Sequence, residues 1–140
     1  MAGAAKTVIV ADRDLEVRKQ LLLLLSAKGY EVKTTDSASD LIREMQNTLG
    51  IIVLDSELSG MKAHEMIPLM KRVNPKLPII VMSASGSLEL AQRIRNEGIF
   101  FYAMKPIDAD EIGNVVESAF KKLEHETRCW ETNADLEHRS

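Results

Sequence analysis

The 140-residue chain has a single cysteine, Cys129, so no internal disulfide forms. A reducing, cytoplasmic setting is the simplest expectation. It has no apolar run near the ~18–20 residues of a membrane span. The longest run, Leu21 to Leu25, sits inside a polar helical pattern. The opening Met-Ala-Gly-Ala-Ala-Lys has no apolar stretch after its charge, unlike a secretion signal. Excess positive charge is also missing. Eighteen basic residues face 21 acidic ones, a net charge of −3. Binding nucleic acid through bulk charge is therefore not expected, nor is a membrane partner. At 45% hydrophobic, the chain is too apolar for disorder, and its length suits one domain.

What is present alternates between two patterns. Short apolar runs fall at Thr7–Ala11, Glu31–Thr35, Ile51–Leu54, Pro78–Met82 and Ile99–Met104. Between them, apolar residues recur at helical spacing. Val17, Leu21, Leu24 and Leu25 share one face. So do Leu41, Ile42, Met45 and Leu49; Ile67 and Met70; Leu90, Ala91 and Ile94; and Ile112, Val115, Val116, Ala119 and Leu123. Met45, Met66, Met70 and Met82 read as core filling.

The punctuation agrees. Gly29 and Gly98 stand where helices end in a left-handed residue. Asn74-Pro75 stops the third helix. Ser37 caps the second helix, and Asp108 with Glu111 caps the fifth. Pro68 requires the third helix to start near Ala63 or His64. Strands one, three and four are apolar throughout, as in strands covered on both faces, whereas strand two is polar enough for an edge. These features predict an α/β, three-layer α/β/α fold with a five-stranded parallel sheet. Ligands of such sheets bind beyond the carboxyl ends of the strands.

Those ends carry chemistry. Strand one runs into Asp12-Arg13-Asp14, strand three into Asp55, strand four into Ser83-Ala84 and strand five into Lys105-Pro106. Two carboxylates, a hydroxyl and a lysine on one rim suit phosphoryl transfer. The carboxylate serves as nucleophile, lysine and hydroxyl hold phosphoryl oxygens, and acidic neighbours hold Mg²⁺.

Over residues 7–123 the chain resembles the receiver domain of two-component response regulators. The resemblance rests on Val8-Ile9-Val10-Ala11-Asp12, Ile52-Val53-Leu54-Asp55 with Gly60-Met61 downstream, Ile80-Val81-Met82-Ser83-Ala84 and Tyr102-Ala103-Met104-Lys105-Pro106. It implies a flavodoxin-like (βα)5 fold of strand order 2-1-3-4-5. Asp55 is then the phosphoacceptor, Ser83 and Lys105 contact the phosphoryl group, and Ser83 and Tyr102 switch on activation. Asp12, Asp55 and the Glu57 backbone carbonyl would serve Mg²⁺, and Lys105–Pro106 would be a cis peptide. Such a module is not a metabolic enzyme, beyond aiding its own phosphorylation and dephosphorylation. Its partners would be a histidine kinase or phosphotransfer protein and a downstream protein or output domain. The output surface would be the fourth helix, fifth strand and fifth helix, with Leu88, Gln92, Arg93, Arg95, Phe101 and Tyr102. Phe101 is either an exposed contact or buried under a helix, and Tyr102 either a switch or a static aromatic.

Two departures stand out. Arg13 occupies the place of the second acidic residue after strand one, the usual direct metal ligand. The loop after Asp55 reads Leu58-Ser59-Gly60-Met61-Lys62-Ala63, keeping one glycine and losing its proline. A guanidinium beside Asp12 or Asp55 pairs readily with either. Unit charges ~4 Å apart interact by roughly 4 kcal/mol at an effective dielectric of 20. Arg13 is thus expected to weaken Mg²⁺ binding by occupying part of the metal position, unless it points into solvent. Asp14 is expected to point elsewhere.

The alternative function is a pseudo-receiver, a docking or dimerisation module that works without phosphorylation. A remote one is a haloacid-dehalogenase-type phosphohydrolase, with Asp12-Arg13-Asp14 as its Asp-x-Asp. There Glu16 departs from the motif and the acyl phosphate would form on Asp12. His64 reads as a solvated helix residue, and Cys129 beside Trp130 as incidental to the tail. The expected organisation is a flexible start over 1–6, a receiver over 7–124 and a polar tail or linker over 125–140. A last helix running past Glu124 offers a route to a homodimer or to signal relay, in a single-domain protein or a piece cut in a linker.

Overall fold

The computed structural model describes residues 6–58 and 60–139, with side chains described as far as Glu126. Ser59 and the side chains of Cys129 and Trp130 lie outside the described residues.

Five parallel strands form the sheet: β1 (Thr7–Ala11), β2 (Glu31–Thr35), β3 (Gly50–Asp55), β6 (Ile79–Ser83) and β7 (Phe101–Met104). Their order is β2-β1-β3-β6-β7. Counting only these strands, that is the expected 2-1-3-4-5. A two-residue hairpin, β4 (Glu57–Leu58) with β5 (Met61–Lys62), is inserted after β3. Every residue of β1, β3 and β6 is buried, whereas β2, at the edge, has only exposed and half-buried residues. Strand five is shorter than expected. Ile99 and Phe100 precede it, although Phe100 N–H still bonds the Ile79 carbonyl at 2.8 Å.

Side chains alternate across the sheet and divide the core in two. Val8, Val10, Ile51, Val53, Ile80 and Met82 pack with α1 (Leu15–Ala27) and α5 (Ala109–Arg139). Ile9, Ala11, Ile52, Leu54 and Val81 pack with α2 (Ala38–Asn47), α3 (Ala63–Val73) and α4 (Leu88–Arg95). Ile52 is fully buried at the middle of the sheet, so Ile52→Ala would cost about 2–5 kcal/mol. The four methionines are buried in this core.

The helix ends follow local chemistry. Gly29 and Gly98 adopt φ of +93° and +82°, the left-handed region that side chains disfavour. Ser37 Oγ accepts from Asp40 N–H, and Asp108 Oδ1 from Asp110 and Glu111 N–H. Asp14 caps α1 by accepting from Glu16 N–H at 2.9 Å. Helix α3 does start at Ala63, yet Pro68 is its sixth residue and leaves the His64 carbonyl without its helical N–H partner.

Three expectations need correction. Leu49 is not on the α2 face: the helix stops at Asn47 and Leu49 is 66% exposed. His64 is half-buried, not solvated, and its Nδ1 is buried without a hydrogen-bond partner. Lys6 is tied down rather than loose. Its carbonyl accepts from Glu31 N–H, and its ammonium pairs with Glu124 at 3.1 Å and lies over the Phe120 ring. The last helix runs past Glu124 as far as Arg139, about 46 Å of helix at 1.5 Å per residue.

Candidate functional site at the carboxyl rim of the sheet

The sheet register brings the strand ends level. Ala11 pairs with Leu54, Asp55 with Met82 and Ser83 with Met104. The ladder continues one step past the strands. Asp12 N–H bonds the Thr35 carbonyl, Ser56 N–H the Met82 carbonyl and Lys105 N–H the Ser83 carbonyl. Loops held this way deliver Asp12, Asp55 and Lys105 to one pocket. The Lys105–Pro106 peptide is cis.

Lys105 Nζ lies 2.8 Å from Asp12 Oδ2 and 3.3 Å from Asp55 Oδ1. Asp12 is fully buried and Asp55 nearly so. Asp12 Oδ1 accepts from Asp14 N–H at 2.8 Å. Its Oδ2 touches the lysine as an ion pair but receives no well-aligned hydrogen bond. Burial, with help from the Asp55 charge, raises the Asp12 pKa above its ordinary 3.8, against the pull of Lys105 and the Asp14 N–H.

Arg13 reaches into the same site. Its Nε is 3.6 Å from Asp55 Oδ2, and its Nη1 donates to Glu57 Oε2 at 2.9 Å. Its backbone N–H donates to Asp55 Oδ2 at 3.5 Å, and Glu57 N–H to Asp55 Oδ1 at 3.3 Å. The guanidinium therefore engages Asp55 and the Glu57 side chain rather than Asp12, from a side chain that stays largely exposed. Asp14 points away to cap α1. A cavity of about 280 Å³ opens beside Arg13 and Glu57, lined also by Leu58, Met61, Lys62 and Glu65. Another cavity, of about 570 Å³, lies at the opposite end of the strands beside Pro78 and Ile99 and contains none of these groups.

Ser83 and Tyr102 are near neighbours rather than members of the cluster. Ser83 Oγ is fully buried and accepts from Ser85 N–H at 3.1 Å, with no bond to Asp55. Tyr102 is half-buried against the α2–α3–α4 core, its hydroxyl is buried without a partner, and the Arg95 guanidinium stands 5.1 Å from its ring centre. Phe101 is half-buried against the α1–α5 core, which decides its open reading in favour of packing. Leu88 of the expected output face is 79% exposed. One participant had no sequence signal: Arg18, on α1, donates to the Asp12 carbonyl at 2.7 Å.

The model of the response regulator receiver domain matches residues 8–117. The chain belongs to the receiver domain family of response regulators. This receiver is 38% identical over 117 residues to the DNA-binding transcriptional regulator NtrC of Azospirillum brasilense, covering 83% of the chain and 24% of the regulator. It is 30% identical to the transcriptional regulatory protein TdiR of Thauera aromatica, covering 84% of the chain and 52% of that protein. The chain thus spans about a quarter of the length of the NtrC relatives it matches. Among solved structures, the response regulator StyR superposes with a TM-score of 0.85 at 28% identity, covering 96% of this chain and 69% of that one. Full-length FixJ from B. japonicum gives 0.82 at 25% identity, covering 98% and 68%. The matched family is the one the sequence resembles, not the phosphohydrolase.

Receiver domains generally bind Mg²⁺ for phosphorylation. The residues of this receiver do not fit that ion. The guanidinium of Arg13 lies against Asp55 and Glu57, the carboxylates on that side of the pocket, and Lys105 is held between Asp12 and Asp55. Two cations thus already neutralise most of the negative charge that would hold a divalent metal. Among the described residues, no three acidic, histidine or cysteine side chains form a metal-binding group.

Proposed function

We propose that this chain is the phosphoryl-accepting module of a two-component pathway, with Asp55 as acceptor. The observation that supports it best is the placement of Asp55. This nearly buried carboxylate has Lys105 3.3 Å from one oxygen, while its other oxygen lies against Arg13. In this reading the phosphohistidine of a histidine kinase or phosphotransfer protein presents its phosphorus to Asp55 Oδ2. The P–N bond breaks as the P–O bond forms, and the imidazole, already protonated on its other ring nitrogen, keeps that proton and leaves as the neutral base. Lys105 balances the charge gathering on the acyl phosphate. Ser83 then trades its bond from Ser85 N–H for one to a phosphoryl oxygen, and Tyr102 shifts with it. The face of α4, β7 and α5, with Leu88, Gln92, Arg93 and Arg95, carries the change to a downstream protein or output domain. The module works in the cytoplasm and touches neither nucleic acid nor membrane directly. A homodimer through the extended α5 belongs to the same reading.

A second reading, a docking module independent of phosphorylation, is favoured by one observation: Arg13 already pairs with Asp55 and Glu57. Intact-mass measurement after phosphoramidate and Mg²⁺ separates the two. Addition of one phosphoryl group to the wild type, absent in Asp55→Ala, is the expected result. No addition to either protein, with partner binding retained, would establish the docking module instead.

A further inference from the structure

The place where a receiver would hold its cation is filled by a side chain of this chain, and that side chain has donors to spare. Arg13 Nη1 is committed to Glu57 Oε2, whereas its Nε only approaches Asp55 Oδ2, at 3.6 Å. Nη2 makes no ion pair with a described residue. The side chain is 58% exposed, so it swings without disturbing the core. Its backbone N–H is anchored on Asp55 Oδ2, so the start of the side chain is fixed relative to the acceptor. A guanidinium presents planar paired donors that match phosphoryl oxygens, and it needs no water stripped from it in the way a hydrated divalent ion does.

We propose that Arg13 is a catalytic residue that binds the incoming phosphoryl group in place of a metal, so that Asp55 is phosphorylated without a divalent cation. This deepens, and rests on, the reading of Asp55 as acceptor. With phosphoramidate as donor, Asp55 Oδ2 attacks phosphorus and the P–N bond breaks. Ammonia leaves carrying the protons it already held, and an acyl phosphate dianion remains. Arg13 exchanges its Glu57 contact for the phosphoryl oxygens on one side while Lys105 holds the other. A guanidinium in such a position acts as an arginine finger supplied from the same chain. Glu57 is its resting partner, and it releases Arg13 because a phosphoryl dianion outcompetes a half-exposed carboxylate.

The test is phosphorylation of the full chain by phosphoramidate, followed by intact mass, in chelator and in millimolar MgCl₂. The wild type is expected to react in chelator within about threefold of its rate in MgCl₂. Arg13→Gln is expected to lose about a hundredfold in chelator. Arg13→Lys should recover part of that loss, because it restores the charge without the fork. Arg13→Asp should react only with MgCl₂. A wild type that reacts only with MgCl₂ would overturn the proposal while leaving Asp55 as acceptor. So would an Arg13→Gln variant as fast as, or faster than, the wild type in chelator. A wild type that is modified in neither medium would overturn both the proposal and the acceptor reading.

Discussion

Lys105 Nζ approaches Asp12 Oδ2 to 2.8 Å, closer than it comes to the proposed acceptor Asp55. In the resting protein the lysine is thus mainly the counter-ion of a fully buried carboxylate, and it must divide its charge when a phosphoryl group arrives. Removing it would leave Asp12 and Asp55 without a shared cation. Lys105→Met is expected to cost about 3–5 kcal/mol, the usual penalty for orphaning a buried charge. The loss should be larger at pH 8 than at pH 5, where the buried Asp12 carboxyl, its pKa raised, more readily takes up a proton. Urea titration at the two pH values measures it, and an equal loss at both would contradict the shared-counter-ion role.

Asp12 itself has a signed pH dependence. Its folded pKa is raised above 3.8, chiefly by burial. The native state therefore holds this proton more tightly than the unfolded chain does. The contribution to stability is complete below 3.8 and is lost as pH rises through the raised value. Asp12→Asn imitates the protonated form. Its urea midpoint relative to wild type should climb as pH increases across that window, and a falling difference would contradict the assigned direction.

Tyr102 offers a test without chemistry at the rim. Its hydroxyl is buried and has no hydrogen-bond partner, so in the resting state it is a cost. Tyr102→Phe should stabilise the unphosphorylated protein by about 1 kcal/mol. A comparable loss of stability would mean that the hydroxyl is already satisfied.

The metal argument predicts the effect of reversing one charge. Arg13→Asp removes the guanidinium from Asp55 and adds a carboxylate at the position where the family places its direct metal ligand. Mg²⁺ affinity followed by calorimetry or NMR should rise by at least about tenfold. Millimolar or tighter binding by the wild type at Asp55 would contradict the misfit.

Much of this site could be read in advance, because its members stand at the ends of strands whose apolar runs are unmistakable. Asp12, Asp55 and Lys105 each follow such a run, as does their neighbour Ser83, and parallel register alone brings those ends level. Other features had no comparable signal. The β4–β5 hairpin has two residues per strand, too few for any alternation. Leu49 matches the helical spacing of α2 but lies past its end, where Thr48 turns to extended backbone. Helix α5 outruns its apolar stripe, so the stripe alone does not tell how far past Glu124 the helix runs. Arg13 was expected to pair with a neighbouring acid, but its choice of Asp55 and Glu57 over Asp12 depends on Lys105 already holding Asp12.

The central claim is that Asp55, not another carboxylate of the pocket, takes the phosphoryl group. Borohydride reduction of the phosphorylated chain converts an aspartyl phosphate to homoserine, which peptide mapping then locates. Homoserine at position 55 alone is the predicted result. Homoserine at position 12, or at neither position in a chain whose mass shows the added phosphoryl group, would contradict the account.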